Sequence, residues 1–264
     1  MLAVALSLYT EVTVEEADHL SITSEGEGSE LPADMTHLAA RVAAKIVGHD
    51  RLAINVRSDI PVGRGLGSSA SLAVAAAAAA GAADPLKEAA AVDGHPENAA
   101  ASVLGGLVAA TTVNGAPVAV ELALDPELRF VVLVPNRPLA THRAREALPA
   151  QVPHADAAFN LGRLGLLIAG LADHRMLLRD ATDDRLHQTA RTPLFPESSH
   201  LMAGLVEAGA LAACWSGAGP SLLGICTAEA SSRVQTAGEQ LLKDTGVPGR
   251  ALLLEADHGG VVTG

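Results

Sequence analysis

The chain has 264 residues, 49% of them hydrophobic and 18% charged, enough apolar material for one large or two modest cores and too little polarity for disorder. A formal net charge of −12 argues against a nucleic-acid surface and means that an anionic ligand must find local donors. No run of about 18 uninterrupted apolar residues marks a membrane span. The start MLAVALSLYTEV lacks a signal peptide's basic region, and Cys214 and Cys226 supply neither a disulfide framework nor metal spacing. A cytoplasmic protein with no nucleic-acid or membrane partner is expected. Aromatics make up only 2%, so its cores must be packed from small side chains.

In chain order, residues 4–14 alternate loosely and predict a strand ending in Val12 and Val14. Apolar residues at Leu38, Ala39, Val42, Ala43 and Ile46 predict a helix over 36–47. Leu52, Ile54 and Val56 alternate with Ala53, Asn55 and Arg57, the pattern of a half-buried strand. A glycine-rich turn follows, then an alanine-rich helix from Ser68 to near Gly81 and a short helix leading to Asp93. Two strands, 107–113 and 117–122, flank Asn114-Gly115, a strong hairpin signal. From Phe130 onward the order is strand, several helices, strand (211–215), strand (222–226), helix, strand (251–255). That is a split β-α-β-β-α-β arrangement with extra helices in its first crossover. The boundary falls near residue 127.

The turn itself carries the chemistry. Pro61-Val62-Gly63-Arg64-Gly65-Leu66-Gly67-Ser68-Ser69-Ala70 places glycine at every second position, which lets the backbone take dihedrals closed to other residues and approach a ligand closely. The helix that follows offers unpaired N–H groups and the positive end of its dipole, so a phosphate is the natural occupant. Ser68 and Ser69 could cap that helix or turn a hydroxyl to a phosphate oxygen or Mg²⁺. There is no Gly-Lys-Ser/Thr of a P-loop, and the third glycine comes one residue early for a dinucleotide fingerprint. A glycine turn with serine caps and no ligand is the plain alternative.

The segment 61–70 matches P-x-G-x-G-L-G-S-S-A, the second motif of the GHMP kinases, and Ser216-Gly217-Ala218-Gly219-Pro220-Ser221 resembles their third. Within that family the chain is most similar to homoserine kinases. Gly94-His95-Pro96-Glu97-Asn98 with Leu104-Gly105-Gly106 resembles their G-H-P-D-N…L-G-G segment, with Glu97 for the usual Asp. Thr141-His142-Arg143-Ala144-Arg145 resembles their T-x-x-A-R stretch, and Leu186-His187-Gln188, Arg191, Pro193 and Leu194 fall on L-H-Q-x-x-R-x-P-L.

The resemblance implies an α+β, two-domain fold: a ribosomal protein S5 domain 2-like N-terminal domain over 1–126 and a ferredoxin-like C-terminal domain over 127–264. It implies ATP and Mg²⁺, with Pro61 to Ala70 and Ser216, Gly217, Ala218 and Gly219 around the nucleotide. The reaction would be phosphorylation of the L-homoserine hydroxyl on the route to threonine. Carried over by position, His95, Glu97 and Asn98 face the hydroxyl end, and Arg145 and Arg191 hold the carboxylate with Thr141 nearby. Glu97 is a candidate for the ammonium. Bidentate arginine suits a carboxylate better than lysine does. Ser69 and Asp93, with Glu88 as the alternative, are the metal candidates. Asn98 stands where some family members have an aspartate base; an amide accepts no proton at neutral pH, so Asn98 orients the hydroxyl. The family's opening P-x-S-x-N-L-G-x-G-F-D is not found, and residues 1–9 resemble the stretch that follows it, so the first strand and motif are expected to be missing. A kinase of another small alcohol (mevalonate, shikimate or an isoprenoid precursor) and a non-catalytic nucleotide-binding paralogue are the competing readings. A homodimer stays open.

Overall fold

The computed structural model describes residues 1–93 and 96–264, and of Asp93 and Thr141 the backbone alone. It divides into two units. The first comprises Met1–Val62, Gly67–Leu122 and Ala256–Gly264; the second comprises Gly63–Leu66 and Ala123–Glu255.

The first unit begins with β1 (Leu2–Val4), β2 (Thr10–Glu16) and β3 (Ser21–Gly26), followed by α1 (Leu38–Val47) and β4 (Leu52–Ser58). The single strand expected over 4–14 is therefore two. The cause is a change of partner: β1 pairs with β5 (Leu107–Val113), whereas β2 lies antiparallel to β4. In between, the Ala5 N–H bonds the Gly106 carbonyl and Leu6 bridges to Ala256, so the backbone leaves one sheet before joining the other. Strand β3, whose Ser/Thr/Glu content hides it from a hydrophobicity reading, runs parallel to β4 on the opposite side from β2. Along β4 the inward positions are Leu52, Ile54, Val56 and Ser58, as the alternation requires.

Helices α2 (Ser68–Ala79), α3 (Pro85–Asp93) and α4 (Pro96–Leu104) complete the layer with α1. Their core is small-residue packing: Ala39, Ala40 and Ala43 of α1 and Ala73, Ala76 and Ala77 of α2 are all fully enclosed. Such side chains let α1 and α2 pack closely, which accounts for a stable core with almost no aromatics. The hairpin of β5 and β6 (Ala116–Leu122) turns at Asn114 and Gly115, both left-handed, with φ of 50° and 79°. That is the turn the dipeptide predicts. Residues 256–264, grouped by the sequence boundary with the second half, pack in the first unit.

The second unit holds β7 (Leu128–Pro135), β8 (Ala212–Trp215), β9 (Leu222–Thr227) and β10 (Gly249–Leu254) in the order β10-β7-β9-β8, every neighbour antiparallel. This is the split arrangement read from the sequence. The first crossover carries α5 (Thr141–Glu146), α6 (His154–Ala172), α7 (Gln188–Arg191) and α8 (Ser198–Glu207); α9 (Ala228–Asp244) is the second. Phe195, Leu201, Leu205, Leu222 and Leu133 form the centre of its core.

Helix α6 is long and apolar enough to cross a membrane by length and composition. Three of its polar residues, however, face its own unit. Asp156 pairs with Arg185, Asn160 bonds Asp184, and Arg163 lies 4.0 Å from Asp183 and over the Phe159 ring. The outward positions Leu161, Gly162, Leu164 and Gly165 are apolar and exposed. The helix thus turns polar side chains inward over its first half, while Gly170 and Leu171 are the buried residues near its end.

Candidate active site

All three glycines of the 61–70 turn are left-handed: φ is 67° at Gly63, 74° at Gly65 and 75° at Gly67. An L-residue in that region costs roughly 1–2 kcal/mol, which explains why the pattern spends a glycine at each. Gly67 is the N-cap of α2, so no side chain occupies the helix mouth, and no acidic residue lies in the first turn. Ser68 and Ser69 are therefore not caps; they are the first two residues inside the helix. Among the described residues no side chain accepts from the N–H groups at this terminus, and its first turn holds no carboxylate to offset the positive end of the dipole.

Within the second unit, Gly65 nests into the loop 216–219. A Cβ there would overlap the Ser216 carbonyl oxygen and lie 2.7 Å from the Gly219 nitrogen. Ser216 Oγ donates to the Gly65 carbonyl at 2.8 Å, and the Ser221 N–H reaches the Arg64 carbonyl at 3.3 Å. Arg64 is spent on scaffolding: its Nε donates to the Pro135 carbonyl at 2.8 Å and its Nη2 to the Asn136 carbonyl. The Leu139 N–H closes on the Gly63 carbonyl at 3.1 Å. Two glycine loops separated by about 150 residues of sequence are thereby stitched into one piece of backbone.

A second cluster lies on the same unit. Arg191, at the end of α7 and only 9% exposed, donates from Nε to the Ala144 carbonyl at 3.2 Å and from Nη1 to the Gly217 carbonyl at 3.0 Å. Among the described residues no carboxylate forms an ion pair with it. Burial lowers its affinity for the proton, Asp184 partly restores it, and the neighbouring Arg145 guanidinium adds repulsion. Arg145 itself is exposed. Two like charges, one of them largely buried, make a setting that favours an anion.

In the first unit, Asn98 in the first turn of α4 lies against Gly67, a Cβ at which would sit 3.9 Å from the Asn98 side chain. Beside it, Glu97 keeps one carboxylate oxygen buried with no hydrogen-bond partner among the described residues. Buried polar atoms are seldom left so, and this one suits a cationic donor from a ligand. The side chains of Asp93 and Thr141, and the whole of His95, fall outside the described residues.

Residues 34–106 match the family model of the GHMP kinases N terminal domain, and residues 159–244 match that of the GHMP kinases C terminal. The homoserine kinase of Mycolicibacterium smegmatis is 38% identical over 99% of this chain and 86% of its own length. That of Streptomyces coelicolor is 40% identical over 89% and 81%. The chain belongs to the homoserine kinase branch of the GHMP kinases. The crystal structure of homoserine kinase from Cytophaga hutchinsonii, 24% identical, superposes with a TM-score of 0.83 over 98% of this chain and 90% of that one, which bears out the two-domain α+β fold.

For a GHMP kinase, the sequence motifs read well at the glycine loops and poorly at their supports. Gln188, in the sequence only one letter of L-H-Q-x-x-R-x-P-L, bonds the backbone of Trp215, the residue before the second loop. Its signal was its place three residues before Arg191. Of the metal candidates, Ser69 is exposed at the mouth of α2, and no hydrogen bond among the described residues engages its hydroxyl, so it is available to a hard cation. Glu88 instead pairs with Lys45 at 2.7 Å. Asp125, Asp173 and His174 also cluster closely enough for a cation. Their oxygens are already engaged: Asp125 accepts from the His174 N–H at 2.8 Å and from the Glu127 N–H, and meets the His174 ring at 2.7 Å, while Arg175 holds Asp173 with two bonds. The Arg175 contacts bring the Asp173 carboxyl down to about 2. This group locks a turn.

Proposed function

We propose that the chain transfers the γ-phosphoryl group of ATP to the side-chain hydroxyl of L-homoserine. The observation that carries this reading is the nesting of Gly65 in the loop 216–219, which presents two glycine loops as one preorganised stretch of backbone. Phosphoryl transfer through a loose transition state asks mainly for positioning and charge neutralisation, and fixed N–H donors provide both without reorganising. The relatives named homoserine kinase, at 38% and 40% identity, point to the acceptor.

In this reading the backbone from Gly63 to Ser69 holds the phosphate chain. Arg145 and Arg191 take the amino acid's carboxylate, and the buried oxygen of Glu97 takes its ammonium. Asn98 orients the hydroxyl. An O–P bond forms to the γ-phosphorus as the bond to the β-bridging oxygen breaks, ADP leaves, and the hydroxyl proton passes to water after bond formation because Asn98 cannot accept it. Mg²⁺, held by Ser69 and Asp93, would neutralise phosphate charge. The protein acts within the cytoplasm in this account, and a homodimer is compatible with it.

ADP release measured with L-homoserine, L-serine, mevalonate and shikimate tests the assignment. Turnover should be greatest with L-homoserine and should fall in Asn98→Ala. Faster turnover of another alcohol would overturn the substrate, and ATP-analogue binding without turnover of any would favour a non-catalytic protein.

A further inference from the structure

Strand β8 is an outer strand, paired with β9 alone. An outer strand presents unpaired N–H and C=O groups along its open side. Here two side chains take the place of a further strand. Thr182 Oγ1 donates to the Ala213 carbonyl at 2.9 Å, and Gln188 Oε1 accepts from the Trp215 N–H at 2.9 Å. Residues 213 and 215 are two apart, so their groups point the same way. The other end of the Gln188 amide, Nε2, donates to the Thr182 carbonyl at 2.9 Å. The amide's polarity is thereby determined, because a flip would set NH₂ against N–H and oxygen against oxygen.

Gln188 is itself held from behind. Asp184 accepts from the N–H groups of Leu186 and His187 and from Asn160 of α6, which fixes the turn that leads into α7. Ahead of it, Trp215 is followed directly by Ser216, whose hydroxyl bonds the Gly65 carbonyl. Hydrogen bonds joined by short covalent stretches of backbone thus run from α6 through Gln188 to the glycine that packs most tightly in the turn. Among the described residues no hydrogen bond joins Gln188 to Gly65 directly.

We infer that Gln188 is a positioning residue for nucleotide binding: by capping the Trp215 N–H it sets the loop 216–221, and through that loop the backbone of Gly65. The inference rests on the nucleotide reading above. In Gln188→Leu the Trp215 N–H is left without its acceptor. The Kd of a non-hydrolysable ATP analogue and KM for ATP should rise about tenfold, the size expected when a buried donor is orphaned. KM for L-homoserine should hold.

Gln188→Glu keeps an acceptor for Trp215 but sets a carboxylate oxygen against the Thr182 carbonyl. It should lose thermal stability as Gln188→Leu does, yet keep KM for ATP near the wild-type value. A residue with a merely structural role would make KM follow Tm in both variants, and that result would overturn the inference. Trp215 is the chain's one tryptophan, so its fluorescence in the wild type is an independent reporter. Emission should change as the ATP analogue is titrated, and a flat titration alongside measured binding would also overturn the inference. A wild type that binds no ATP analogue removes the kinase reading together with this one. A wild type that binds it, with Gln188→Leu binding equally well, removes this one alone.

Discussion

Gly65 shows how much one missing methyl group can matter. Its φ of 74° is unfavourable for any side chain, and a Cβ would run into the backbone of residues 216 and 219, which cannot swing aside as a flexible side chain can. At Gly63, with φ of 67°, a Cβ would meet among the described residues only the Pro138 ring, at 3.6 Å. The two positions look alike in the sequence and should behave differently. Gly63→Ala should cost about 1 kcal/mol, the dihedral penalty alone. Gly65→Ala should cost at least ~2 kcal/mol and weaken ATP-analogue binding, because loop 216–219 must move as well. Denaturant unfolding and calorimetry of the pair check this. Equal losses at both would mean that the Gly65 contact carries nothing. The need for glycine was legible at both positions, and the reason for it at Gly65 was not, since the neighbour that forbids a side chain comes from far along the chain.

At the level of elements, the readings that succeeded were those with local causes. The alternation of β4, the Asn114-Gly115 hairpin and the helix after the glycine turn are each written in a few adjacent residues. The failures have non-local causes. Residues 4–14 have strand character throughout, and only the competition between β5 and β4 for pairing divides them. Strand β3 is polar and exists because β4 has a second edge to offer. Of the candidate site, the need for a left-handed backbone at the loop glycines could be read, whereas the hydrogen-bond network behind them could not. Asp184 anchors that network. Burial works to raise its carboxyl, but the bonds from the His187 ring, Asn160 and the N–H groups of His187 and Leu186 win and hold it well below the ordinary aspartate value. A carboxyl depressed on folding contributes stability that is present above its unfolded pKa and disappears as pH falls through the folded value. Asp184→Asn should therefore lower stability by about 1–3 kcal/mol at neutral pH. The gap between variant and wild type should shrink as the medium is acidified below pH 3.8, the unperturbed value. Thermal unfolding against pH measures it, and a gap independent of pH would mean that the charge of Asp184 plays no part.

For the whole molecule, the decisive feature is how the chain is threaded. It leaves the first unit after Leu122, whose partner across the hairpin is Leu107. It comes back at Ala256, bridged to Leu6, and the Asp257 carbonyl accepts the Gly106 N–H at 2.6 Å. Exit and re-entry thus lie beside neighbouring residues, 106 and 107. Apart from the four residues 63–66, the second unit is a guest in the middle of a host whose two ends are already tied together. Such a guest should be removable by genetic surgery: splicing Leu122 to Ala256 through a few glycines and serines ought to leave a host that still folds, with helical circular dichroism and cooperative melting. That host would carry Asn98 and the mouth of α2 but not Arg191, so it should have lost its grip on the amino acid. A splice product that stays a random coil would mean that the host depends on its guest in order to fold.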